Sequence, residues 1–344
     1  MQTEMHVNDL PTPALVIEAD AFDRNLAIMA TAHPGPRLRP HVKAHKCTAL
    51  AAAQASIGHL RFTCATPREV LGMADAGLGH DLLLANECLD PVRLQAMAER
   101  HRGETDTTVT VAVDSLETVR AAAAAGLDHC LIDVNVGLPR CGVIPAEAGR
   151  LADQARRAGL EVRGVMGYEG HLMMVTHRVQ QAQQVADAMG LLLAAHREVG
   201  GNIISAGGTG TFDLHEHTGV NEIQAGSYAL MDTHYSSLGL PFTQAVFVIG
   251  TVISTSATYA VADVGLKALG MDHGNPEVLG GSVWFCSDEH LTFAAVDPAP
   301  RPQVGTRVRV VPAHVDPTMA LHEVAWVIRE DRVIDRWPID LRGW

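Results

Sequence analysis

This chain of 344 residues has little lysine: Lys43, Lys46 and Lys267 are the full set, against 23 arginines. Chemistry that needs a primary amine is confined to three positions, two of them in one octapeptide. Aromatic residues make up 4 %, and no basic stripe interleaves with them. With a net charge of −13, that composition argues against nucleic-acid or anionic-membrane partners. The six cysteines show no CxxC spacing, and several sit in apolar runs, as Cys64 and Cys130 do. They read as reduced, buried thiols of a cytoplasmic protein. Long apolar runs are missing too. The least polar stretch, residues 245–266, is broken by Ser254-Thr255-Ser256 and Asp263, which suits strands and not a membrane span. The first ten residues carry neither a basic n-region nor an apolar h-region, so no secretory signal is expected.

What is present is a rhythm. Short apolar or β-branched runs alternate with Ala-rich runs at helical spacing. Candidate strands fall at Leu38–Ala44, Leu60–Ala65, Asp81–Ala85, Thr108–Val113, His129–Val134, Val162–Tyr168, Asn202–Ala206 and Glu222–Tyr228. Eight strands alternating with helices predict an α/β fold, a (β/α)8 TIM barrel. An open doubly wound sheet is the alternative, disfavoured because no early GxGxxG motif dominates. After residue 244 the runs are strand-like with turns between them, which predicts an all-β C-terminal domain. The expected domains are a barrel over residues 10–242 and a β-domain over residues 243–344, joined by an N-terminal strand within residues 1–20.

Four constellations carry chemistry. Arg39-Pro40-His41-Val42-Lys43-Ala44-His45-Lys46 ends the first candidate strand. Alternation puts His41, Lys43 and His45 on one face, at the end of the barrel where active sites form. An inward amine needs a carboxylate partner or a covalent engagement as a Schiff base. Gly207-Gly208-Thr209-Gly210-Thr211 follows the seventh strand and reads as an anion-binding nest or as a flexible turn. The eighth strand ends in Gly226-Ser227, which makes one phosphate cup more plausible than either end alone. His314-Val315-Asp316 places an imidazole and a carboxylate on one side of an extended chain, as a metal site or as a surface pair. Tyr168-Glu169-Gly170-His171, with His177 nearby, offers a ring partner and a base.

Together these segments resemble the fold-type III pyridoxal-phosphate enzymes, and within them the D-threonine aldolase / D-serine dehydratase-like family, relatives of alanine racemase. The resemblance covers nearly the whole chain. It implies that Lys43 carries pyridoxal 5'-phosphate as a Schiff base, that Arg140 and Tyr168 lie against the cofactor, and that Gly208, Thr209, Gly226 and Ser227 hold its phosphate. It places Gln224 at the pyridine nitrogen, where a neutral partner leaves that nitrogen unprotonated. It makes His314 and Asp316 ligands of a divalent metal. His-x-Asp is the pattern of the aldolases, with Mn or Mg, whereas His-x-Cys marks the zinc dehydratases. The family is typically a homodimer with shared active sites.

The implied activity is retro-aldol cleavage of a small D-β-hydroxy amino acid, D-threonine to glycine and acetaldehyde, or an analogue such as D-phenylserine or 3-hydroxy-D-aspartate. His171, His177 or a metal-bound hydroxide is the expected base. The alternatives are a D-serine or 3-hydroxyaspartate dehydratase and a non-catalytic pyridoxal-phosphate-binding protein. Borohydride reduction of the loaded protein is expected to label the peptide containing Lys43; label on Lys46 or Lys267 would refute that assignment.

Overall fold

The computed structural model describes residues 5–102, 107–297 and 299–343. Residues 1–4 and Trp344 of the expected β-domain lie outside the described residues. The chain divides into two compact units, one of residues 5–28, 44–50 and 227–342, the other of residues 29–43 and 51–226 together with residue 343. The first strand, β1 (Ala14–Glu18), belongs to the former.

The second unit is the barrel. Seven parallel strands follow in chain order, β2 (Arg61–Cys64), β3 (Asp81–Leu84), β4 (Val109–Val113), β5 (His129–Asp133), β6 (Glu161–Gly167), β7 (Ile203–Ala206) and β8 (Glu222–Ile223). Residues 38–41 supply the eighth position. Leu38 bridges Ile223 of β8 and His41 bridges Thr63 of β2, both in parallel, so the ring closes. The predicted strand Leu38–Ala44 is cut short. Pro40 has no N–H to give a ladder, and Val42–Ala44 turns into a 3-10 helix. Local signals place the intervening helices. Thr66 caps Pro67–Asp75 by accepting from Glu69 N, and Ser115 caps Leu116–Ala125, which ends at Gly126 in the left-handed region (φ 82°).

The barrel interior is layered. Leu83, Ala112, Leu131, Met166 and Ile203 form one buried cluster contributed by five consecutive strands. Nearer the strand starts lies a charged layer, because Asp81 and Thr110 share faces with Leu83 and Ala112. Its centre is Arg39, 1 % exposed. Arg39 Nη1 lies 3.2 Å from Asp81 Oδ1, and Arg39 Nε lies 2.9 Å from Glu222 Oε1. Arg163 donates to both Asp81 oxygens at 2.9 Å and to Thr110 Oγ1 at 2.6 Å. On β7 and β8 the layer continues upward: Ser205 Oγ donates to Glu222 Oε1 at 2.8 Å, and Gln224 Nε2 lies 2.9 Å from Ser205 Oγ.

In the first unit, β9 (Val246–Thr255), β10 (Ala260–Ala262), β11 (Glu277–Val278), β12 (Gly281–Cys286), β13 (Leu291–Ala295), β14 (Arg307–Val311), β15 (Val324–Arg329) and β16 (Arg332–Pro338) join β1 in one sheet of order β10-β13-β12-β11-β14-β9-β1-β15-β16. A further pairing of β10 with β9 closes six of these strands into a ring. Strand β1 is antiparallel to β9 and parallel to β15, and Val16, Phe247, Ile249, Val311 and Ile328 share one core cluster. His314-Val315-Asp316 is not extended as predicted. His314 is the N-cap of a helix, Val315–Leu321. The buried Asp232 carboxylate accepts from Val315 N at 2.9 Å and so starts that helix from a distant part of the chain. Among the described residues no helix is long and apolar enough to cross a membrane.

Burial opposes ionisation of Asp81, but hydrogen bonds from Arg163 and the charge of Arg39 outweigh it and hold this carboxyl well below the usual carboxylate range. A depressed folded-state pKa stabilises the fold above the unfolded value and loses that contribution as pH falls through the folded one. Asp81→Asn is therefore expected to lower stability at pH 7 by about 3–5 kcal/mol, since it strands buried guanidinium charge. The deficit relative to wild type should shrink as pH falls below about 4, measured by denaturant unfolding at a series of pH values.

Candidate active site

The chain leaves the barrel seam at His41 and delivers Lys43 on a 3-10 turn between the buried Val42 and Ala44. Lys43 is exposed. The seam runs parallel to β2 and β8, so Lys43 still emerges on the side of the strand ends, by a turn and not by the strand phase expected from sequence.

Tyr168 and His171 follow β6. The Arg140 guanidinium stands over the Tyr168 ring, 5.3 Å from its centroid, a cation–π arrangement. Arg140 belongs to the loop after β5, which Asn135 staples: its Oδ1 accepts from Gly137 N at 2.9 Å and its Nδ2 donates to Leu138 O at 3.1 Å. Gly137 (φ 129°) packs on His171, and a Cβ there would meet His171 Cε1 at 2.7 Å. Two interlocking loops thus gather Tyr168, Arg140 and His171. His177 stands apart as the N-cap of helix Arg178–Val199, where its Nδ1 accepts from Gln180 N at 3.3 Å.

The Gly207–Thr211 loop after β7 rests on Glu169, a residue whose anchoring role the sequence does not signal. Glu169 has no exposed surface. Its Oε2 accepts from Gly207 N at 3.1 Å, and its Oε1 accepts from Thr211 Oγ1 at 2.7 Å and lies 3.0 Å from His215 Nε2. Burial opposes ionisation, but His215 and Thr211 overcome it and keep this carboxyl below its ordinary range. Gly208 N donates to Thr211 Oγ1 at 3.3 Å. A Cβ on Gly208 would come within 2.8 Å of Met173 Sδ and reach ordinary contact with Tyr168 Cε2 at 3.4 Å, so the loop backbone packs on Met173 and lies beside the Tyr168 ring. Thr209 is buried within this loop. Gln224 extends β8, its amide tied to Ser205, and Gly226 follows before Ser227.

In the other unit, His314 and Asp316 sit among further donors. His314 Nδ1 lies 2.7 Å from Asp272 Oδ2, and His314 Nε2 lies 4.0 Å from Asp316 Oδ1. The His273 ring stacks on His314 at 3.9 Å, and His234 lies over His273 at 4.3 Å. Asp272, His273 and His314 offer ligand atoms within 4.8 Å of one another. Ser227, expected at the phosphate, donates its hydroxyl to Asp316 Oδ1 at 3.3 Å, which leaves its backbone as the group for an anion. Sequence reading did not find Asp232, Asp272 or His273, because their distance along the chain from His314 hides them.

With this geometry in place, comparison with known proteins is decisive. Residues 17–234 match the family model "Alanine racemase, N-terminal domain", and residues 245–328 match "Putative serine dehydratase domain". The chain belongs to the alanine racemase N-terminal domain family. Within the family it is 34 % identical to the D-threonine aldolase of Arthrobacter sp., covering 96 % of this chain and 93 % of that protein. It is 32 % identical to the 3-hydroxy-D-aspartate aldolase of Paracoccus denitrificans (strain Pd 1222), covering 98 % and 94 %. The crystal structure of D-threonine aldolase from Filomicrobium marinum superposes with a TM-score of 0.92 at 34 % identity, over 100 % of this chain and 99 % of that one. The α/β barrel and the all-β C-terminal domain expected from sequence are both present in this chain.

Beside Arg140 the same barrel end carries an acidic cluster. Burial, then the neighbouring Glu87, push the Asp133 carboxyl well above its ordinary range. A hydrogen bond to Glu87, with partial burial, pushes the Cys141 thiol up to about 12. Glu87→Gln is expected to lower it and speed disulfide-exchange labelling of Cys141 at pH 8 severalfold. An unchanged labelling rate would remove Glu87 as the cause.

Proposed function

We propose that this chain is a carbon–carbon lyase of the D-threonine aldolase type, cleaving a D-β-hydroxy amino acid to glycine and an aldehyde with pyridoxal 5'-phosphate and a divalent metal. The observation that carries the reading is the donor set at residues 314 and 316, an imidazole and a carboxylate with no thiolate, in a chain related to aldolases over almost its full length. Oxygen and imidazole donors suit Mn or Mg better than Zn.

The residues fit both groups. Asp272 on His314 Nδ1 selects the tautomer that leaves Nε2 as a ligand. Nε2 and Asp316 Oδ1, 4.0 Å apart, can both reach one ion at about 2.1 Å. The glycine cradle beside Tyr168 suits a phosphate, which Gly208, Thr209, Gly226 and Ser227 would surround. Lys43 is the covalent anchor and Gln224 the partner of the ring nitrogen. Bound pyridoxal phosphate supplies the electron sink for the pair released from the Cα–Cβ bond, and the ion supplies a Lewis acid for the β-hydroxyl.

The side chains then divide the work. Arg140 and Tyr168 hold the ring plane, and Glu169 holds the phosphate loop. His171 accepts the β-hydroxyl proton at a ring nitrogen. His177 is the weaker choice, since its Nδ1 serves as a helix cap. The barrel over residues 10–242 binds the cofactor, and the β-domain of residues 243–344 with the N-terminal strand carries the metal. In this reading the enzyme works as a cytoplasmic homodimer with shared sites; the six free cysteines suit a reducing compartment.

A panel of D- and L-β-hydroxy amino acids, assayed with Mn²⁺ and with chelator, tests this. Glycine and an aldehyde from D-isomers, lost with chelator and at least 10³-fold lower in Lys43→Ala, are expected. Ammonia and a 2-oxo acid would establish the dehydratase instead.

A further inference from the structure

The Gln224 amide ends a hydrogen-bonded chain whose direction is set by charge. Arg39 keeps its proton at any pH the fold survives. Its Nε lies 2.9 Å from Glu222 Oε1, and Arg61 Nη1 lies 3.5 Å from Glu222 Oε2. A carboxylate between two guanidinium groups has only lone pairs to offer. Ser205 Oγ, 2.8 Å from Glu222 Oε1, therefore donates to it. A hydroxyl has one proton, so toward Gln224 the Ser205 oxygen can only accept. Gln224 reaches that oxygen at 2.9 Å and must turn its NH₂ group to it. The two ends of a side-chain amide are alike in shape, and their assignment comes from the surrounding network. Here a buried ion pair makes it.

The consequence lies on the other side of the amide. Glu222 and Gln224 share one face of β8, with Gln224 nearer the strand end. Among the described residues Gln224 Oε1 has no hydrogen-bond partner, so the barrel end presents an acceptor. We infer that Glu222 and Ser205 are positioning residues that turn the Gln224 carbonyl toward the ligand, and that the ring nitrogen of bound pyridoxal phosphate is therefore held protonated. This reverses the expectation that a neutral partner leaves that nitrogen bare. The proton comes from solvent when the cofactor binds. A protonated ring draws electrons more strongly, so a charged layer deep in the barrel tunes chemistry that it never touches. The inference rests on the proposed placement of Gln224 at the ring nitrogen.

The test uses holoenzyme reconstituted with pyridoxal phosphate labelled with ¹⁵N in the ring, read by its ¹⁵N shift at neutral pH. The wild type is expected on the pyridinium side. Ser205→Ala frees the amide to turn, and Gln224→Leu removes the acceptor; both are expected to move the nitrogen toward the free-pyridine side. Gln224 is only half-buried, so its variant keeps the test open if Ser205→Ala fails to fold. A wild-type nitrogen on the free-pyridine side overturns the inference, as does a Ser205→Ala holoenzyme that stays on the pyridinium side. Identical shifts in wild type and Gln224→Leu overturn it differently, by removing Gln224 from the ring nitrogen. The product assay stands apart from all three results.

Discussion

One guanidinium at the centre of the barrel organises what surrounds it. Arg39 comes from the short seam that closes the ring, and its partners come from β3 and β8. Backbone hydrogen bonds tie the seam on both sides: Arg39 N donates to Ile223 O at 2.8 Å, His41 N to Ala225 O at 3.0 Å, and Thr63 N to Pro40 O at 2.9 Å. The buried charge adds a further constraint, because moving the seam would pull Arg39 from between Asp81 and Glu222 and cost both ion pairs. Lys43 follows Arg39 by four residues. The position of the amine is thus governed by an ion pair on which no reactant acts.

The same economy recurs in the loops. Glu169 gathers the glycine loop after β7 from beneath, accepting from a backbone amide and a hydroxyl. Asp232 starts the helix after His314 by accepting from Val315 N, and Asp272 fixes the ring of His314. In each case a carboxylate that lies behind the reactive groups sets their direction. Carboxylates suit this role because they accept several strong hydrogen bonds at once.

Much of the fold is legible in the sequence. The alternation of apolar runs locates β2 to β7 to within a few residues, since parallel strands buried on both faces are read directly from composition, whereas β8 stops at Ile223, well short of the predicted Tyr228, and Ser227–Ala229 is a 3-10 helix. The first strand is the failure. Pro40 gives no N–H to a ladder and the chain turns at Val42–Ala44, while the partner that makes residues 38–41 a barrel position lies in β8, almost two hundred residues away. The segment His314–Asp316 fails for a like reason, because its helix is started by Asp232. Motif reading picks out candidate ligand-touching residues, as glycines, lysine and His-x-Asp have short-range signatures. It misses Glu169, Asp272 and Ser205, whose partners lie 42, 42 and 17 residues away.

The glycine loop is tied down from within the chain. Gly207 and Gly208 N–H groups have partners within the protein, and Thr209 is buried. A loop in this state has little conformational freedom left to lose when an anion arrives. If the loop takes the cofactor phosphate as proposed, association would escape much of the ordering entropy that a floppy loop incurs, and the affinity left over would hold the cofactor between turnovers.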